Sequence, residues 1–290
     1  MGPEQSNNRP THRSVRSLIV ARRDPGGRFL VPVKLNGRGP FQFILNTGAG
    51  RSAVTSETAR ALGSSVDEAP SILVHGVTGS TAVPTIRVES VSLGTMNIPV
   101  SPLPVLANAF HGADGFLSAA SLGSECIVID FMRSTVALPK GVALGRDRSG
   151  AAIMRMDPSH APLLTIGTHV QAVAVKTIID TGAHATLGNL ALHSALTNKA
   201  VDTSERVELL GAVAAGQIGS PQALPMMRIG ELRIFGACIA YGDLSLFEYL
   251  KLTTVPAMLL GMDILDQFAS LAIDYEHEIV QFRPRTSKRS

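Results

Sequence analysis

Residues 41–50 read FQFILNTGAG, and residues 177–183 read TIIDTGA. In each, a short apolar run ends on an Asn or Asp and continues Thr-Gly-Ala. Asn46 stands in the first copy where Asp180 stands in the second. An apolar run closed by Gly is the pattern of a buried strand entering a turn. Such a strand holds the last polar side chain at a fixed point in mostly dry surroundings. The glycine after it allows close backbone approach or a positive φ. The phrase is written twice and changes at the one residue able to ionise.

The copies extend outward. ARRDPGGRFLVPV (21–33) is similar to MRMDPSHAPLLTI (154–166), and ILNTGAGRS (44–52) to IIDTGAHAT (178–186), an offset of 134 residues. VSLGTMNI (91–98) matches MRIGELRI (227–234) at 136, GFLSAASL (115–122) matches MLLGMDIL (258–265) at 143, and IVIDF (127–131) matches LAIDY (271–275) at 144. Order is kept and the offset only grows, which implies one unit present twice. The units span 14–140 and 151–283, with 141–150 as linker, 1–13 as a flexible tail and 284–290 as a basic tail. The second unit gains about seven residues, assigned to YGDLSLFEYLKLTTVP (241–256). Each unit opens on period-2 strands, FLVPVKL or LLTIGTHV. A short helix follows the Thr-Gly turn: SETARAL with Gly63 past its end, and NLALHSAL with Asn189 as N-cap. In each unit an apolar pair then leads to a small residue and a second short helix, MDILDQF in lobe 2. The fold class expected is all-β: two pseudo-twofold-related β-barrel lobes with brief helices.

Composition limits the partners. The net charge of +3 resides in the ends: residues 1–28 hold six Lys/Arg against two acids, and residues 284–290 hold three against none. The body between them has 17 basic and 21 acidic residues and no basic stripe with interleaved aromatics. Nucleic acid is therefore not an expected partner. No apolar run reaches the roughly 18 residues of a membrane span. The two cysteines, Cys126 and Cys238, form no disulfide framework or metal spacing and read as two buried thiols. The polar start lacks an export segment and reads as a native tail, or as a start from which a signal was removed. The compartment expected is extracytoplasmic, periplasmic or secreted.

If the two turns meet on a pseudo-twofold axis, their acidic versions would face each other within a few ångströms. Two such carboxylates share a proton and their apparent pKa values separate. A water between them can then lose a proton while a substrate carbonyl gains one.

Asx-Thr-Gly-Ala after an apolar run, twice in one chain, resembles the aspartic peptidases. Ala49 and Ala183 after the glycines make it similar to their retropepsin-like (retroviral) branch. The family's downstream apolar-apolar-Gly signal is Leu259-Leu260-Gly261 in lobe 2 and Phe116-Leu117-Ser118 in lobe 1, with Ser in place of Gly. The resemblance covers about 14–283 and implies a monomeric, single-chain, two-lobe endopeptidase that cuts peptide or protein substrate in an inter-lobe cleft without cofactor or metal. It implies Asp180 as a catalytic carboxylate and Asn46 at the partner position. Thr47 and Thr181 would cross-link the loops, with Gly48 and Gly182 beside them. Flaps over the substrate would fall near 72–81, with Gly76 and Val77, and near 209–220, with Ala214. Many retroviral members continue with Asp after the Ala. Gly50 and His184 stand there instead, which puts that Asp's contacts to substrate backbone in doubt.

Simpler readings stand beside these. Asp-Thr-Gly alone is commonly a bare strand-to-turn connection. His184 reads as a solvent-facing turn residue, the 75–79 glycines equally as a moving loop or an ordinary β-turn, and YEHE (275–278) as a solvated cluster in a hairpin turn. Asn46 cannot ionise, so the chain as written is expected to have little or no peptidase activity. Either Asn46 is an isolated change in a working enzyme, which the intact Thr47, Gly48, Ala49 and Ser52 favour, or the protein is a natural peptide-binding pseudo-peptidase. A structural double-β protein with surface-binding tails is a third reading.

Overall fold

The computed structural model describes residues 15–64, 70–107, 110, 112–123, 126–139, 144, 150–197, 206–212 and 215–285. They form a mostly β molecule of two lobes joined by a shared sheet. Alternation decides which faces are buried. In strand Phe29–Leu35, Phe29, Val31, Val33 and Leu35 are fully buried on one face, while on the other Leu30 packs half-buried against the cluster of Ile44 and Phe110 and Lys34 is exposed.

The duplicated sequence takes duplicated topology. Strand Phe29–Leu35 pairs antiparallel with Arg38–Asn46, as Thr165–Val170 does with Val173–Ile179. Strand Arg38–Asn46 lies parallel to Gly115–Ser118, and Val173–Ile179 parallel to Ala257–Leu260. The two VSLGTMNI-like stretches are both hairpins, Val91–Leu93 with Met96–Ile98 and Met227–Ile229 with Leu232–Ile234.

Four α-helices interrupt the described strands. Helix α1 (Ser56–Ala61) is capped by Thr55, whose hydroxyl accepts from Thr58 N, and Gly63 beyond it has φ +77°. Helix α2 (Leu190–Thr197) starts at Asn189, whose Oδ1 accepts from Leu192 N at 2.8 Å. Helix α3 (Ser245–Tyr249) lies in the stretch by which lobe 2 exceeds lobe 1, and α4 (Met262–Leu265) follows Gly261. Among the described residues, no helix is long and apolar enough to cross a membrane.

One six-stranded sheet is built half from each lobe, in the order Val15–Val20, Thr135–Pro139, Cys126–Asp130, Phe268–Asp274, Ile279–Pro284, Ala152–Arg155. Its central pair registers Cys126 with Asp274, Val128 with Ala272 and Asp130 with Ser270. The YEHE residues form the turn between the last two lobe 2 strands, and His277 Nδ1 lies 2.9 Å from Asp274 Oδ2. The cysteine expectation needs correction: Cys126 is buried, but Cys238 is exposed. It opens strand Cys238–Tyr241 just after the Gly236 turn, before that strand turns inward.

Ile127 and Ile273 are in register across the central pair, and both are fully buried. Replacing Ile273 with Ala should cost about 3 kcal/mol through lost burial and a residual cavity. Urea denaturation should show this as a lower midpoint of a single transition, because the strand belongs to both lobes' common sheet.

Candidate active site

Each turn begins where a buried strand ends. Asn46 is the last residue of Arg38–Asn46, in register with Ser118, and Asp180 follows Val173–Ile179, its N–H donating to Leu260 O at 3.0 Å. The side chains close identical local rings. Gly48 N–H donates to Asn46 Oδ1 at 2.7 Å, and Gly182 N–H to Asp180 Oδ1 at 2.8 Å. These are Asx turns, which Asn and Asp form equally well. Asn46 therefore keeps the shape of its loop.

The two loops meet and lock. Thr47 N–H donates to Thr181 Oγ1 at 3.2 Å and Thr181 N–H to Thr47 Oγ1 at 3.1 Å. Each hydroxyl then donates across to the other lobe, Thr47 to Ile179 O and Thr181 to Leu45 O, both at 2.7 Å. Both threonines are buried. Neither Gly48 nor Gly182 is in the positive-φ region; close approach is what requires them. A Cβ on Gly48 would lie 2.3 Å from Asp180 Cγ, and one on Gly182 would lie 2.3 Å from Asn46 Nδ2. Each polar side chain thus rests on the other loop's glycine.

Behind the turns the lobes differ. A Cβ on Gly261 would stand 2.6 Å from the Ala185 carbonyl carbon, so lobe 2 admits only glycine there. At the matching place Ser118 is fully buried, its hydroxyl donating to Ala49 O at 2.6 Å and its N–H to Ser52 Oγ at 3.0 Å.

The turns form the floor of a cleft of about 1120 Å³. Hairpin Ser71–His75 with Ser80–Ile86 covers it from lobe 1, and Arg206–Leu210 with Ala215–Gly219 from lobe 2. Gly76 is in the first hairpin's tip and lines the cleft, its N–H bonded to Gly79 O. Val77 reaches lobe 2, packing against the cluster of Leu244, Leu246 and Phe247 and accepting from Leu246 N–H at 3.3 Å. Its neighbour His75 stacks on Tyr249 of α3 with centroids 4.1 Å apart. In return Ala212 packs against the lobe 1 cluster of Ile44, Leu106 and Phe110. The second hairpin begins three residues before the expected 209, and Ala214 lies outside the described residues.

Sequence reasoning missed Arg28, which is 6% exposed. Its Nε pairs with Asp24 Oδ2 at 2.5 Å, and its other nitrogens reach Gly182 O at 3.5 Å and Phe110 O at 3.3 Å. Burial acts to raise the Asp24 pKa, but the hydrogen bonds and charge of Arg28, with help from His184, more than offset it and hold that carboxyl below its ordinary range. The available signal was Arg28 beside a repeated Asp-Pro where lobe 2 has Ala161. His184 is only partly solvent-facing: its ring fills the space where a Gly26 side chain would be, and Nε2 lies 3.4 Å from Asp24 Oδ2.

Desolvation pushes the Asp180 pKa from the ordinary 3.8 up to about 6, against the N–H groups of Gly182, Ala183 and Gly48 and the charge of Arg28. Among the described residues, no group of three or more His, Cys, Asp or Glu converges on a metal-sized space.

Because its folded pKa is raised, Asp180 favours the fold most below pH 3.8, and that contribution is lost as pH rises through 6. Relative to an Asp180→Asn chain, this protein should lose on the order of 3 kcal/mol of stability across that window, measured by urea titration at each pH.

Residues 31–125 match a protein-family model described as Aspartyl protease. The matched segment holds Asn46, Thr47, Gly48, the lobe 1 hairpin and Ser118. A search of curated proteins gave no match to the chain.

Proposed function

We propose that this chain, whose lobe 1 is of the aspartyl protease family, is a single-chain, retropepsin-like endopeptidase scaffold with Asp180 as catalytic carboxylate and position 46 as its partner. With Asn46 in place it binds extended peptide and cleaves it little or not at all. The observation that carries this reading is the pair of Asx-Thr-Gly turns bonded to each other through Thr47 and Thr181 at the floor of the cleft.

A peptide would lie between the two hairpins as an added strand, its backbone hydrogen-bonded and its side chains directed to alternate walls. Gly76 and Val77 would cover it, and the scissile carbonyl would sit over residues 46 and 180. With Asp at both positions, the pair would share one proton. The ionised carboxylate takes a proton from water as the new C–O bond forms, and the protonated one donates to the carbonyl oxygen. The tetrahedral intermediate then breaks its C–N bond: the departing nitrogen takes the proton held by the first carboxylate, and a hydroxyl of the intermediate returns its proton to the second, so that the C=O bond reforms and the pair again shares one proton. Asn46 can make the hydrogen bonds of this cycle but cannot carry its proton. A raised Asp180 pKa suits a group that must exchange a proton in mildly acidic solution.

A second reading, a peptide-binding protein that does not cut, is favoured by Asn46 itself, which closes its turn with no sign of distortion. One substitution separates the two. The Asn46→Asp protein should cleave members of a mixed peptide library at pH 4 to 7, at least about 10³-fold faster than the parent chain. Adding Asp180→Asn should abolish the gain. Tight binding without products in the Asn46→Asp protein would establish the second reading, and neither binding nor cleavage would overturn both.

A further inference from the structure

The walls of the cleft are mostly apolar, and arginine and lysine outnumber carboxylates in its lining among the described residues. Ile44, Leu106 and Phe116 face it from lobe 1, and Leu163, Leu187 and Leu246 from lobe 2. The lining also includes Arg28, Arg51, Lys251 and three histidines, whereas Asp180 is its one carboxylate among the described residues. Arg28 is occupied by Asp24 and by backbone carbonyls. Arg51 and Lys251 differ. Both are exposed, and among the described residues neither has a carboxylate partner.

Their positions are also specific. Arg51 extends from the lobe 1 turn, five residues past Asn46, on a loop that contacts lobe 2: a Cβ on Gly50 would lie 3.1 Å from Pro162 Cγ. Pro162 belongs to the loop that carries His160, which lines the same cleft and whose Nδ1 is buried with no hydrogen-bond partner among the described residues. Lys251 follows α3, in the segment that only lobe 2 has, and holds φ +57°. Glycine adopts that conformation freely at a helix end and other residues adopt it at a cost. The chain keeps a lysine there.

We infer that the cleft selects peptides in which acidic side chains accompany an apolar centre, and that Arg51 and Lys251 are the residues that determine this specificity. The inference rests on the reading of the cleft as a peptide site. Cations with no carboxylate partner among the described residues, set between low-dielectric walls, focus their field into the cleft, raise the encounter rate with anionic chains and disfavour cationic ones. The apolar walls require a matching apolar centre, so a bare polyanion satisfies only half of the site.

Binding to the protein as it stands provides the test, since the Asn46 chain holds substrate without consuming it. Fluorescein-labelled decapeptides sharing one apolar centre and carrying Glu, Gln or Lys around it would be titrated by fluorescence anisotropy. The Glu peptide should bind about tenfold more tightly than the Gln peptide, and the Lys peptide most weakly. The difference should shrink between 50 and 500 mM salt, concentrations of about that order sampling strong to weak screening. Arg51→Glu combined with Lys251→Glu should reverse the order. Lys251→Gly relieves the backbone conformation, so it should fold at least as stably while losing part of the preference for Glu. Equal affinity for Glu and Gln peptides would overturn this specificity and leave the peptide site standing. No binding by any peptide would overturn the peptide site with it. Equal competition by a ten-residue oligothymidylate would show general anion binding and would also overturn the proposal.

Discussion

The centre of this molecule depends on an exchange of hydroxyl groups between Thr47 and Thr181. Each accepts the other's backbone N–H and donates to a carbonyl of the opposite lobe. Four hydrogen bonds in a dry interface set the separation and orientation of two turns that are distant in sequence. A buried hydroxyl left unpaired would carry its full desolvation cost, so the network is retained whole or lost whole. The shared six-stranded sheet acts with it, since strand Cys126–Asp130 of one lobe pairs with Phe268–Asp274 of the other. The site is therefore rigid where the turns meet and open to variation at its rims.

That rigidity sets the electrostatics. Asp180 is 5% exposed, lies against the bare Gly48 and is reached by several N–H groups. Burial outweighs those donors, and its proton is held to about pH 6. Across from it Asn46 repeats the local geometry without a charge. The pair has the form of a two-carboxylate site and the proton capacity of one.

Around this symmetric floor the lobes diverge, and the divergence shapes the cleft. Ser118 and Gly261 are equivalent, but one fills space with a hydroxyl and the other leaves room for Ala185. Arg28 has an alanine counterpart. The added segment of lobe 2 supplies α3, which receives Val77 and Tyr249's partner His75 from the lobe 1 hairpin. Each hairpin packs on the other lobe's apolar cluster, Val77 on one and Ala212 on the other. A cleft built this way is closed by contacts between lobes, and its two sides present different chemistry.

Much of this was legible in the chain as written. The repeated Asx-Thr-Gly phrase, its growing offsets and the period-2 strands required duplicated β lobes, because strand faces and tight turns depend on neighbours in sequence. The N-cap at Asn189, the glycine beyond α1 and the surplus of lobe 2 were readable for the same reason. What could not be read depends on residues far apart in sequence. His184 lying over Gly26, the reach of Arg28 to Gly182 O and the stacking of His75 on Tyr249 have no local signature, since each follows from how one lobe's loops meet the other's, and the exposure of Cys238 depends on where its strand enters the fold. Even the role of Gly182 changed on folding: the sequence permitted either a left-handed turn or close approach, and the packing of Asn46 against it selected close approach. Local pattern determined the elements and the candidate chemistry; the contact between lobes, a long-range packing property, determined the pKa of Asp180, the shape of the cleft and which charges face into it.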